Sequence, residues 1–179
     1  YNGATSMHKT NVAVICICLC LFVAVWISLK LNQPNIAEQK KLLENAEILL
    51  LANQQEYLIG LNDLMEIGEE EFTSVLDTSS TNPTNHKYTG VQLKNILSHY
   101  QIDLDESSAL VLSGMDNYSV AYTTEEILKN NNVYIVFKED DSYLGSKENG
   151  GRGPYESIVV ADDFSNRRCK WLTRIECVK

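Results

Sequence analysis

Asn149-Gly150-Gly151-Arg152-Gly153-Pro154-Tyr155, followed one strand later by Asp163-Phe164-Ser165-Asn166-Arg167-Arg168-Cys169-Lys170-Trp171, is the most informative stretch of this sequence. Three glycines around an arginine let backbone amides and a guanidinium converge on one anion. It is a weak phosphate loop, because a proline and a strand follow it where a helix would be needed. The two segments also bracket a short apolar run, Ser157 to Ala161, and lead into Lys170 to Val178. Both runs read as β segments joined by loops.

The charge changes sign over the same stretch. Residues 32–145 hold 6 basic and 19 acidic groups, whereas residues 146–179 hold 7 basic and 5 acidic ones. A basic cluster on an acidic protein points to an anion site, since the rest of the surface repels such a ligand. The competing reading is that these cations pair with the protein's own carboxylates. Over all 179 residues the formal charge is -9, which argues against nucleic acid as a partner.

Upstream, the remaining elements can be placed coarsely. Ile36 to Gln54 has a broad apolar face and reads as a helix that packs on the domain or forms a stalk. Glu56 to Gly60 reads as a strand, Leu61 to Ile67 as a helical turn capped by Asn62, and Phe72 to Leu76 as a strand entering a polar loop over 77–85. Gly90 to Tyr100 reads as a half-buried helix with Thr89 as its N-cap. Ala109 to Ser113 and Tyr118 to Tyr122 form a hairpin about Gly114-Met115-Asp116-Asn117. Thr123 or Thr124 caps a short helix through Leu128, and Val133 to Phe137 is another strand. Without a steady βαβ rhythm, the pattern predicts an α+β fold of mixed sheets and short helices.

Ahead of this domain, Val12 to Leu29 is an 18-residue uncharged run that would reach about 27 Å as a helix, near the thickness of a bilayer core. No small-x-small cleavage site follows it, so we read residues 12–31 as a transmembrane anchor preceded by a tail over 1–11. A linker or stalk helix over 32–54 and a domain over 55–179 complete the expected organisation. Lys9 on one side against Lys30, Lys40 and Lys41 on the other slightly favours a cytoplasmic domain by charge alone.

Several chemistries are excluded. There is no Walker lysine loop, no Gly-x-Gly-x-x-Gly after a strand and no nucleophile elbow. His8, His86 and His99 stand at no helical spacing that would build a zinc site. Cys16, Cys18 and Cys20 lie in the anchor; Cys169 and Cys177 read either as buried free thiols or, for Cys169 between Arg168 and Lys170, as a thiol of lowered pKa and raised reactivity.

Thr89-Gly90-Val91-x-Leu93, Gly114-x-Asp116-x-Tyr118-Ser119-Val120, Gly150-Gly151 ahead of a strand, and Lys170-Trp171-Leu172-x-x-Ile175-Glu176 occur in that order. The set resembles the molybdopterin-binding oxidoreductase domain of the sulfite oxidase type, from about residue 55 to 178. The resemblance implies an α+β fold and enzymes that hold molybdenum through one cysteine ahead of the Gly-Val-x-Leu helix. The corresponding segment here, Val75 to Asn85, contains no cysteine. It further implies that Gly151, Arg152, Arg168 and Lys170 line the cleft near the cofactor, completed by Asp116 and Tyr118, for which a turn-stabilising and a core role compete. Small anchored relatives look like an extracytoplasmic branch, and this decides the orientation we expect.

The reading that follows is a membrane-anchored, extracytoplasmic, non-catalytic module whose cleft takes a small anionic ligand, with no cofactor expected. A reduced molybdopterin oxidoreductase and a structural subunit docked on a membrane protein partner are the alternatives.

Overall fold

The computed structural model describes residues 14–27, 41–78 and 81–178. The chain divides into two compact units, Tyr1–Glu38 and Gln39–Lys179. In the first, residues 14–27 form a helix with exposed side chains, and the rest of the expected 12–31 anchor lies outside the described residues. Among the described residues no helix is long and apolar enough to cross a membrane.

The second unit is built on two five-stranded sheets. The first has the order β2 (Gln55–Ile59), β1 (Ile48–Ala52), β10 (Leu172–Val178), β5 (Ala109–Gly114), β6 (Ser119–Thr123). The second runs β3 (Glu70–Thr78), β4 (Thr81–Gln92), β7 (Val133–Glu139), β8 (Ser142–Tyr143), with β9 (Glu156–Val159) also paired to β7. Helices α1 (Leu61–Ile67), α2 (Leu93–His99) and α3 (Thr124–Leu128) are short. The mixed α+β class expected from the sequence is therefore the one observed.

The stalk helix is corrected. Helical geometry stops at residue 44, Leu43 is buried in the core, and β1 runs parallel to β10 with Leu50 opposite Ile175. The apolar spacing that suits a helix also contains the alternation Ile48, Leu50, Ala52, and burial against a strand over a hundred residues away selects the strand. Asn53 and Gln54, with φ of 53° and 63°, turn β1 directly into β2.

Three further boundaries move. Gly60, not Asn62, is the N-cap of α1, its amide donating to Asp63 Oδ2 at 2.8 Å. Most of the expected polar loop over 77–85 is β4, paired to β3 with Leu76 opposite Thr84. β4 gains its second partner, β7, only from Tyr88 onward, so Pro83 lies where one side is unpaired and a missing N–H is tolerated. Gly90 and Val91 remain extended in β4, and α2 begins only at Leu93, with Gln92 as its N-cap. Of the two caps expected for α3, Thr123 is the one used, through a reciprocal box with Glu126.

The main core gathers Ile48, Leu50, Leu93, Ile96, Tyr122, Phe137, Tyr155 and Ile175. A smaller cluster of Tyr88, Tyr134, Val136, Leu144 and Ile158 lies on the second sheet, where Phe72 stacks on Tyr134 at 4.0 Å. The two sheets are tied beneath the site by Tyr122, whose hydroxyl hydrogen-bonds Ser157 Oγ and donates to the Arg167 carbonyl, both at 2.8 Å.

Gly90 is the tightest point of the second sheet: a Cβ there would meet Ile135 O at 2.4 Å and Val136 Cα at 2.8 Å. Gly90→Ala is expected to destabilise the domain by about 2–4 kcal/mol, read as a lowered urea midpoint with an unchanged slope.

Candidate functional site

A cavity of about 590 Å³ opens between the end of β3, the β5–β6 turn and the segment before β10. It is lined by Asp77, Thr78, Asp116, Tyr118, Phe164, Ser165, Asn166, Arg168, Lys170 and Trp171. Four of the six expected ligand residues, Asp116, Tyr118, Arg168 and Lys170, thus meet in one place.

Each wall has a local cause. In the β5–β6 turn, Asp116 Oδ1 accepts the Tyr118 amide at 3.1 Å and Asn117 takes a φ of 65°, an Asx-type reversal. Asp116 therefore has the turn-stabilising role. Tyr118 is 42% exposed, which excludes the core role, and its hydroxyl donates to the Asn166 carbonyl at 2.6 Å. That bond ties the turn to the 3-10 turn Ser165–Arg167. On the opposite side, Ser165 Oγ accepts the Asp77 amide at 2.9 Å, joining the same 3-10 turn to β3.

Arg168 forms the floor and is only 6% exposed. Its guanidinium donates to the Tyr88 hydroxyl at 2.8 Å, the Val75 carbonyl at 2.7 Å and Ser74 Oγ at 3.2 Å, all neutral acceptors. It lies 5.1 Å from the Tyr88 ring centre. Burial pushes the Tyr88 hydroxyl up to about 12, with Arg168 opposing that rise. Lys170 is half-buried, and among the described residues no hydrogen bond or ion pair holds its ammonium. The Lys170 side chain is thus the cation left available to a ligand.

Trp171 is held by its backbone and its ring together. Its amide donates to the Arg152 carbonyl at 2.8 Å, its carbonyl accepts from Met115 N at 2.9 Å, and its indole N–H donates to the Gly151 carbonyl at 2.7 Å. Its φ is 50°, a conformation bulky side chains rarely adopt.

Gly151 and Arg152 are corrected. They do not line this cavity; they border a smaller one of about 200 Å³ with Glu139 and Gly145. Arg152 is consumed internally: Nη2 lies 2.7 Å from Glu139 Oε2 and Nε lies 2.9 Å from Glu156 Oε2. Glu156 is completely buried, its Oε1 has no hydrogen-bond partner, and Arg152 Nη2 meets Glu139 as an ion pair without hydrogen-bond geometry. Burial pushes the Glu156 carboxyl up, against the pull of Arg152, Arg168 and, more weakly, Lys170. Gly151 is there for close packing, since a Cβ would come within 2.1 Å of Gly145 O. Arg167 is likewise spent, on Asp162 at 2.6 Å and Glu126 at 2.7 Å. The pairing of cations with the protein's own carboxylates accordingly holds for Arg152 and Arg167, but not for Lys170.

The low-pKa reading of Cys169 is also corrected. The thiol is 0% exposed, and burial pushes it up to about 12, with Asp116 and Glu156 adding to the rise. Of its flanking cations Arg168 is turned onto the Tyr88 hydroxyl, and the charges that act on the sulfur are the carboxylates of Asp116 and Glu156, so sequence adjacency does not activate it.

Asp77, Thr78, Phe164 and Trp171 are lining residues that the sequence reading did not place in the site. Asp77 and Thr78 do lie inside Val75 to Asn85, the segment that the resemblance marks for a metal ligand. Phe164 gives no signal before the fold carries it to the cavity rim.

Comparison with known proteins agrees with this architecture. The sequence model of the oxidoreductase molybdopterin binding domain matches residues 49–179. Among solved structures, the sulfane dehydrogenase SoxCD from Paracoccus pantotrophus is similar with a TM-score of 0.61 and 16% identity. That likeness covers 75% of this chain and 38% of the other, so this chain spans well under half of that relative. No curated protein matches.

Two outcomes are expected. Arg152→Met should cost about 3–5 kcal/mol by leaving Glu156 buried and unpaired, and Glu156→Gln should restore much of that loss in chemical denaturation. The unfolded carboxyl ionises near ~4.3 and the folded one later, so stability falls as pH rises through that interval, more steeply in Arg152→Met. In a variant with serine at the other four cysteines, Cys169 should react with a disulfide reagent only after denaturant is added.

Proposed function

Since the chain belongs to the oxidoreductase molybdopterin binding domain family, we propose that it uses that scaffold as a non-catalytic module whose cavity takes a small anionic ligand. The observation that carries this reading is Lys170, an unpaired cation beside the buried Arg168 in a cavity whose β3 end is lined by Asp77 and Thr78.

The residues present do not fit a molybdenum centre. Where the resemblance calls for a thiolate, the chain offers a carboxylate and a hydroxyl, hard oxygen donors that suit other metals better. Cys169 is a buried thiol whose Sγ faces the Tyr118 and Lys170 carbonyls at 3.9 and 4.0 Å. The cavity can bind: an anion beside Lys170 gains a charge-assisted contact, and Arg168 supports it from below without a carboxylate to neutralise it.

In this reading residues 12–31 anchor the module to a membrane with the domain on the extracytoplasmic side. The support is the uncharged run Val12 to Leu29 and the absence of a small-x-small site after it.

The test is native mass spectrometry with elemental analysis on the full chain purified from a host that makes the molybdenum cofactor. The expected result is protein without stoichiometric molybdenum, carrying an anionic adduct that Lys170→Met reduces about tenfold. Stoichiometric metal and pterin would overturn the reading.

A further inference from the structure

We propose that the ligand of this cavity is a planar aromatic monoanion, with its ring against the aromatic wall and its charged group at Lys170. The inference rests on the preceding reading that the cavity is a ligand site, and adds the ligand's chemical class.

Three aromatic residues line one opening: Tyr118, Phe164 and Trp171. Phe164 is 63% exposed, an apolar ring at the rim of a concave site that binding would cover. Trp171 is kept in its positive-φ conformation by two backbone hydrogen bonds and its indole N–H. Such strain persists where the surroundings over-determine it, and here it fixes the position of a lining residue. Lys147 Nζ stands 4.6 Å from the centre of that ring, a further contact holding it in place. A small inorganic anion would leave these three rings unused.

The charge lining limits the ligand to one negative group. Lys170 and Arg168 are the cavity's cations, and Asp77 and Asp116 are its carboxylates, neither engaged in an ion pair among the described residues. The lining is therefore neutral in sum. One anionic group fits beside Lys170 with Arg168 beneath it, whereas a second would face Asp77 or Asp116 with both lining cations already engaged. This separates the expected ligand from polyphosphates and from dianions generally.

Isothermal titration calorimetry on the full chain tests the inference, using naphthalenesulfonate as the probe and sulfate, neutral naphthol and a naphthalenedisulfonate as comparators. Naphthalenesulfonate should bind at least about tenfold more tightly than each comparator. Phe164→Ala, a change at an exposed ring, should weaken it about fivefold with an unchanged unfolding midpoint, and Lys170→Met about tenfold. The double variant Asp77→Asn/Asp116→Asn should bring the disulfonate up to the level of the monosulfonate. Sulfate binding as tightly as naphthalenesulfonate, with Phe164→Ala silent, would overturn the aromatic class and leave the anion site standing. Naphthol binding as tightly would overturn the role of charge, and a tighter disulfonate would overturn the monoanion. No binding by any probe would overturn this inference and the ligand-site reading together.

Discussion

The ion pair between Arg152 and the fully buried Glu156 is the constraint on which the rest of the site depends. A carboxylate without water is costly unless a cation compensates it, and Arg152 does so while reaching Glu139 on β7. This pins the glycine-rich segment to the second sheet. The carbonyls of Gly151 and Arg152, fixed in consequence, receive the indole and backbone amides of Trp171. The loop that looked like an anion cradle is thus the frame that holds a cavity wall, and its own cation is spent on doing so.

A second constraint works from the other side. Arg168 bonds to Val75, Ser74 and Tyr88, and Ser165 to Asp77, so the segment before β10 is stitched to the β3–β4 hairpin. The cavity is what remains between these two attachments. Its chemistry follows from which charges the attachments consume: Arg152 and Arg167 are neutralised by carboxylates, Arg168 is buried among neutral acceptors, and Lys170 is left over. Family membership and fold therefore supply the scaffold, and the Val75 to Asn85 segment that borders the cavity contains no cysteine.

Much of the fold was legible in local pattern. The hairpin about Gly114 to Asn117, the Thr123 cap with its Glu126 partner, and the apolar strands β7 and β9 each depend on contacts within a few residues or on continuous burial. The errors fell where the decisive partner is remote. β1 was legible as an apolar face but not as a strand, because its parallel neighbour β10 lies at the other end of the chain. The polar run after Thr81 is strand because β3 and later β7 pair with it, against the propensity of Asn82, Pro83 and Asn85 for turns.

By itself the sequence determined the α+β class, the family, and the acidic composition with a basic C-terminal stretch, since these depend on composition, order and residue identity. Only the tertiary structure decided which basic residues are free. Charge is written in the chain, but neutralisation depends on which carboxylate lies within about 4 Å, and Glu139, Glu156, Asp162 and Glu126 reach their partners only through folding. The same holds for Cys169, whose neighbours in sequence promise an activated thiolate and whose burial in the folded protein makes it an inert thiol.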